Sequence, residues 1–142
     1  MENKRSCSIL IPYKIKDNNI FVFLQKREKD RKISPGCLAF FGGKIEEGES
    51  PEEGMKREIQ EELCFLPQGY EFLGKYDFSE WISNVYILPV DDNFESKIRI
   101  MEGEYGKFFS KAEAFSEPTM IEDNKIILKD LFALLQNNIA HA

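Results

Sequence analysis

The sequence predicts an α+β domain in which a mixed β-sheet lies between helices, an α/β/α sandwich. Two observations point there. Several short runs rich in aromatic and β-branched residues, bounded by turn-forming residues, read as strands. Two longer segments repeat apolar residues at helical spacing, and their place among the strands suits a sheet flanked by helices.

In chain order, residues 7–27 (CSILIPYKIKDNNIFVFLQKR) read as a β-hairpin turning on Asp17, Asn18 and Asn19. Residues 28–36 form a charged loop closed by Pro35 and Gly36. Cys37 to Phe41 then make one short apolar strand entering Gly42 and Gly43. Ser50 to Leu63 is the clearest helix: Ser50 serves as N-cap, Pro51 suits the first helical position and Glu53 completes a capping box. Tyr70 to Phe78 and Trp81 to Val90 are strands. Residues 91–106 read as a loop with room for an edge strand, and Lys107 to Ser110 as another short strand. Asn124 to Asn137 forms a terminal helix with Ile127, Leu128, Leu131, Leu134 and Leu135 on one stripe.

With 142 residues the chain, 1–142, reads as one domain able to bury a core. An apolar content of 42% that includes twelve Phe excludes a disordered chain. The net charge of -6 argues against a nucleic-acid polymer or an anionic membrane as partner. It leaves nucleotides open, because divalent cations mediate that contact. Cys7, Cys37 and Cys64 form neither a CxxC pair nor a zinc pattern and read as reduced thiols of a cytoplasmic protein. The basic start is followed by an apolar run too short for a signal peptide or a membrane span.

The chemistry concentrates in one helix. Glu58, Glu61 and Glu62 follow i, i+3, i+4 spacing and share a face, while Met55, Ile59 and Leu63 fall on a neighbouring stripe that anchors the helix. Like charges so placed repel, by about 1 kcal/mol per pair in water. Binding Mg2+ or Mn2+, which prefer hard oxygen ligands, removes that repulsion. Taken alone, these residues read as a solvated acidic face, and their surroundings must decide.

From Gly43 to Phe65 the chain resembles the Nudix box: Gly, five residues, Glu, seven residues, then Arg-Glu-aliphatic-any-Glu-Glu-any-Gly-aliphatic. Gly43, Glu49, Arg57, Glu58, Ile59, Glu61 and Glu62 match it in spacing, and Phe65 fills the last apolar position. The penultimate glycine is replaced by Cys64. Glycine there lets a helix end in a left-handed turn, so Cys64 is expected to reshape the helix exit.

The resemblance implies a Nudix-type sandwich and a Mg2+-dependent pyrophosphohydrolase (Mn2+ possible as the ion). Its substrate would be a nucleoside diphosphate linked to another group, with nucleoside triphosphates, oxidised purine ones included, favoured. Glu58, Glu61, Glu62 and a carbonyl at Gly43 or Gly42 would hold two or three ions. Arg57 would orient the cluster by pairing with Glu49. Glu58 is the first choice of general base and Glu102, a further metal ligand, the second; Glu104 is the fallback for Glu102. The likeness extends to the MutT-like branch, where Arg27 matches a nucleotide contact and Asn124 an amide that reads a purine edge.

Each of these has a plainer role beside it. Asn124 suits a helix N-cap, and Asp123 shares either role. Arg27 suits a strand-end charge in water, and Lys44 either a phosphate contact or a surface lysine. Phe40, Phe78 and Trp81 could stack on a base or fill the core, and Phe41 stands where MutT-like chains usually carry Pro. His141, in the terminal tail, has no visible partner. Many relatives pair as homodimers. Dinucleoside polyphosphates, ADP-ribose and nucleotide sugars are alternative substrates, and a non-catalytic nucleotide sensor or a metal-free acidic interaction domain are alternative classes.

Overall fold

The computed structural model describes residues 4–27, 37–101 and 104–141, so the charged loop expected at 28–36 lies outside the described residues. Strands β1 (Arg5–Lys16) and β2 (Asn19–Arg27) form the expected hairpin. Its turn holds Asp17 and Asn18 at φ of 52° and 63°, left-handed positions that short polar side chains tolerate. Asn19 already belongs to β2.

Cys37 to Phe41 does not make one strand. β3 (Leu38–Ala39) pairs with β2, the chain steps aside at Phe40, and β4 (Phe41–Lys44) pairs with β1. The step follows from the hairpin: β2 covers only Tyr13 to Lys16 of β1, leaving Cys7 to Leu10 for β4. The opposite edge of β1 runs parallel to β6 (Trp81–Pro89), which pairs antiparallel with β5 (Glu71–Asp77). β7 (Glu104–Ser110), longer than the four residues expected, closes the free side of β2. Among the described residues the result is a mixed seven-stranded sheet.

Helix α1 (Pro51–Leu63) starts as its sequence dictates, with the Ser50–Glu53 capping box formed and Pro51 in the first turn. The hydroxyl of Ser8 on β1 donates to the Pro51 carbonyl at 2.6 Å. Met55, Ile59 and Leu63 are fully buried against one face of the sheet, beside Leu10, Phe23 and Phe41. Cys64 does not reshape the exit. It adopts φ 52° and ψ 43°, and its N–H donates to the Gln60 carbonyl at 3.0 Å. The amides of Arg99 and Met101 bond the carbonyls of Leu63 and Glu62, satisfying the helix end and holding the left-handed turn despite the side chain.

Two short helices were not foreseen: α2 (Phe94–Lys97), in the stretch expected to be a loop and anchored by buried Phe94, and α3 (Lys111–Ser116), in a stretch given no element and capped by Ser110 and Glu113. On the second sheet face lies α4 (Glu122–Ala140). It begins before Asn124, with Ile121 at the N-cap position, so Asn124 sits in the first turn rather than capping it. His141 is the C-cap residue rather than part of a loose tail. Ile127, Leu128, Leu131 and Leu135 are buried as expected, but Leu134 is 39% exposed and Phe132 takes its place. Phe132 packs in the core with Leu128, Leu131 and Leu135, and its ring meets Phe115 of α3 at 6.1 Å between centroids. Among the described residues, no helix is long and apolar enough to cross a membrane.

Candidate active site

Arg57 organises the acidic helix. Its Nε donates to Glu49 Oε2 at 2.7 Å and its Nη2 to Glu49 Oε1 at 3.1 Å, a bidentate pair. Nη2 also donates to the Lys44 carbonyl at 3.0 Å. Nη1 donates to Glu58 Oε1 at 2.9 Å and reaches Glu61 Oε1 at 3.4 Å, with Glu46 at 3.6 Å. The bond to Glu49 raises the guanidinium's pKa further above its ordinary value. The same bond, aided by the Glu46 amide, holds the Glu49 carboxyl below its ordinary value.

The two glycines do different work. Gly42 has φ 143°, and a Cβ there would lie 2.1 Å from the Ser8 carbonyl oxygen, so its bare backbone lets β4 close on β1. Its N–H donates to Glu62 Oε1 at 3.3 Å, which turns that carboxylate toward the strand. Gly43 faces the helix: a Cβ there would lie 2.6 Å from the Glu58 carboxyl carbon. The space a side chain would take is filled by a carboxylate.

The donor set fits a hard divalent cation. Glu58 offers its carboxylate beside the bare backbone of Gly43 and Glu62 beside Gly42, with Glu61 joined to Glu58 through Arg57 and no thiol or imidazole among them. Among the described residues, no three acidic, His or Cys side chains converge as a ready-made ligand group. Arg57 Nη1 sits between Glu58 and Glu61, so an ion held by both carboxylates would have to displace those contacts.

Behind the double glycine, on the α4 side of the sheet, lies a cavity of about 230 Å³. Ile9, Phe40, Phe78 and Trp81 give it apolar walls, and Gly42, Gly43 and Lys44 form the lip toward the carboxylates. Asp123 and Asn124 project into it from the first turn of α4. Cys7 and Ser83, bonded Sγ to Oγ at 3.4 Å, line it as well. Burial pushes the Cys7 thiol up, only partly offset by Ser83, so it is a neutral polar group rather than a nucleophile.

The structure thus brings together Arg57, Glu58, Glu61, Glu62 and Gly43, and sets Lys44, Asn124, Phe40, Phe78 and Trp81 on the neighbouring cavity. Phe40 belongs to the core at the same time, being 7% exposed. Glu102 lies outside the described residues. Arg27 and Glu104 pair by backbone at the ends of β2 and β7, and their side chains are outside the described set. Cys7, Ile9 and Ser83 were not singled out from sequence. Strand alternation puts Cys7 and Ile9 on one face of β1, but only the register with β6 brings Ser83 alongside.

This geometry has relatives. The chain is 33% identical over 98 residues to the 8-oxo-dGTP diphosphatase of Escherichia coli K12, covering 68% of this chain and 74% of that one. It is 31% identical over 121 residues to the ADP-ribose pyrophosphatase of Methanocaldococcus jannaschii, covering 81% of this chain and 66% of that one. A mutT/nudix family protein from Listeria innocua superposes over the whole of both chains with a TM-score of 0.75 at 20% identity, a likeness of fold. The NUDIX domain model matches residues 4–131, which span both the carboxylate helix and the cavity, and the chain belongs to that family.

Proposed function

We propose that this chain is a Mg2+-dependent pyrophosphohydrolase that cleaves nucleoside triphosphates, oxidised purine ones included, to the nucleoside monophosphate and pyrophosphate. Nudix hydrolases generally need a divalent metal. The all-oxygen donor set favours Mg2+, with Mn2+ able to replace it. The observation that carries the reading is the juxtaposition at Gly42 and Gly43: carboxylates on one side of the glycine lip and a cavity sized for one heterocycle on the other.

In this reading Glu58, Glu61, Glu62 and the Gly43 carbonyl hold the ion, with Glu102 as a further ligand. Bound there, it would neutralise phosphate charge, polarise the attacked phosphorus and acidify a water. Arg57 keeps Glu58 and Glu61 on one face, through Glu49 and the Lys44 carbonyl. Lys44 and Arg27 take phosphate oxygens. Asn124 offers the base a donor and an acceptor from the same amide, between the apolar walls of Phe40, Phe78 and Trp81. As the water oxygen bonds to phosphorus, the P–O anhydride bond breaks and pyrophosphate leaves with its electron pair. The water's proton passes to the Glu58 carboxylate, with Glu102 the second candidate for that role. Free Cys7, Cys37 and Cys64 agree with a reducing cytoplasm.

A second reading, hydrolysis of ADP-ribose, is favoured by the Methanocaldococcus jannaschii relative. The test is a substrate panel with Mg2+, comparing ordinary and 8-oxo purine triphosphates with ADP-ribose and diadenosine polyphosphates. Release of pyrophosphate from the triphosphates at the highest kcat/KM supports the first reading, and preference for ADP-ribose replaces it with the second. No cleavage of any nucleotide overturns both.

A further inference from the structure

The end of β2 reaches two walls of the cavity through adjacent residues. Gln25, 2% exposed, donates from Nε2 to the Phe40 carbonyl at 2.6 Å. Lys26 donates from Nζ to Glu117 Oε1 at 2.7 Å, and the same oxygen accepts the Thr119 hydroxyl at 2.7 Å. Thr119 Oγ1 in turn accepts the Leu38 amide at 3.2 Å. These bonds link β2, the turn after α3, and β3 in one chain. Exposed ion pairs contribute little, but the Lys26 and Glu117 side chains are only 25% and 22% exposed. The shared oxygen and the backbone link give this pair a defined geometry.

The two ends of that chain are where the cavity walls begin. Leu38 precedes Ala39 and Phe40 on one side; Glu117 and Thr119 precede Ile121, Asp123 and Asn124 on the other. We propose that Lys26, acting through Glu117 and Thr119, is a positioning residue that sets the distance between these walls and thereby the fit of the nucleobase. The inference rests on reading the cavity as the base site. Lys26 itself is not among the residues lining the cavity, so its effect passes through the clamp.

The test compares wild type, Lys26→Met and Lys26→Arg on a purine nucleoside triphosphate and on methyl triphosphate, which carries the phosphates without a base. Loss of a partly buried charge-assisted hydrogen bond is expected to raise KM for the nucleotide about tenfold, with kcat within about twofold. Methyl triphosphate should be cleaved equally by all three, and Lys26→Arg should restore the nucleotide KM. If Lys26→Met fails to fold, Glu117→Gln, which keeps an acceptor for Thr119 but removes the charge, should show the same KM-selective loss. If wild type prefers the nucleotide, an unchanged nucleotide KM in Lys26→Met overturns the clamp alone, as does a parallel loss on methyl triphosphate. A wild type indifferent to the base overturns the cavity reading and the clamp with it.

Discussion

The carboxyl of Glu58 stands over Gly43 so closely that a Cβ on residue 43 would lie 2.7 Å from each of its oxygens. Glu58 is also the carboxylate that Arg57 holds most tightly after Glu49. The two constraints leave the side chain little freedom, and one methyl group removes the space it uses. Gly43→Ala should therefore displace Glu58 and lower kcat about a hundredfold, the cost of misplacing a reacting group by roughly 1 Å. Gly43 has no positive φ, so alanine adds little backbone strain and the melting temperature should change little. Steady-state kinetics beside thermal melts check this; wild-type kcat in a folded Gly43→Ala enzyme would show that Glu58 is not placed for chemistry.

Glu61 and Glu62 differ in what holds them. The Glu61 side chain is 59% exposed and touches Arg57 at long range, whereas Glu62 accepts the Gly42 amide. Glu61→Gln and Glu62→Gln keep size and remove charge, so each should cut turnover by about a hundredfold or more while the fold survives. Mg2+ at about a hundred times its Kd should stabilise wild type by about 2.7 kcal/mol, and a chelator should reverse the shift. The two variants should show a reduced shift at the same concentration. A wild-type melting temperature indifferent to millimolar Mg2+ would remove the metal assignment.

Much of this site was legible in sequence because its key relations are local. Ser50, Pro51 and Glu53 announce the start of α1, and helical spacing alone puts Glu58, Glu61 and Glu62 on one face with Met55, Ile59 and Leu63 turned inward. Relations set by strand register were out of reach. Nothing near Cys7 in the chain indicates Ser83, and the split of Cys37 to Phe41 into two strands depends on how much of β1 the hairpin leaves free. Helix α3 was missed for a different reason. Its Ser110 and Glu113 carry the same capping signature as α1, but an overlap with the preceding strand masked it. Leu134 was misplaced because the periodicity of α4 fits a face centred on either side of Leu131, and the buried one carries Phe132.

Cys64 occupies a left-handed position that a glycine fills without steric cost. Cys64→Gly should relieve that strain, offset in part by the greater freedom of glycine in the unfolded chain, for a net gain of about 0.5–1 kcal/mol. For a chain of this size that corresponds to a rise in Tm of roughly 2–4 °C, read by calorimetry or circular dichroism. Because Cys64 is exposed and its contact is the Met101 sulfur at 3.6 Å, the substitution opens no cavity. A lower Tm would mean that the thiol–thioether contact outweighs the strain.

The Arg57–Glu49 pair sets a dependence on pH with a definite sign. Glu49 titrates below its ordinary value of 4.5, first because Arg57 hydrogen-bonds its carboxylate and next because the Glu46 amide does. Its contribution to stability is therefore complete above about pH 4.5 and is lost as the pH falls through the lowered value. Glu53, Glu113 and Glu117 are lowered as well, so wild type should lose stability on acidification through several groups at once. Glu49→Gln isolates one of them. At neutral pH the variant should melt below wild type, because a neutral amide replaces the charged half of a bidentate pair. As the pH drops and wild-type Glu49 takes up its proton, the two should converge, since a protonated carboxyl and an amide are nearly alike in size and charge. Melting curves from pH 7 to pH 3 would show the gap closing. A gap constant across that range would mean that Glu49 acts through shape and not through its charge on Arg57.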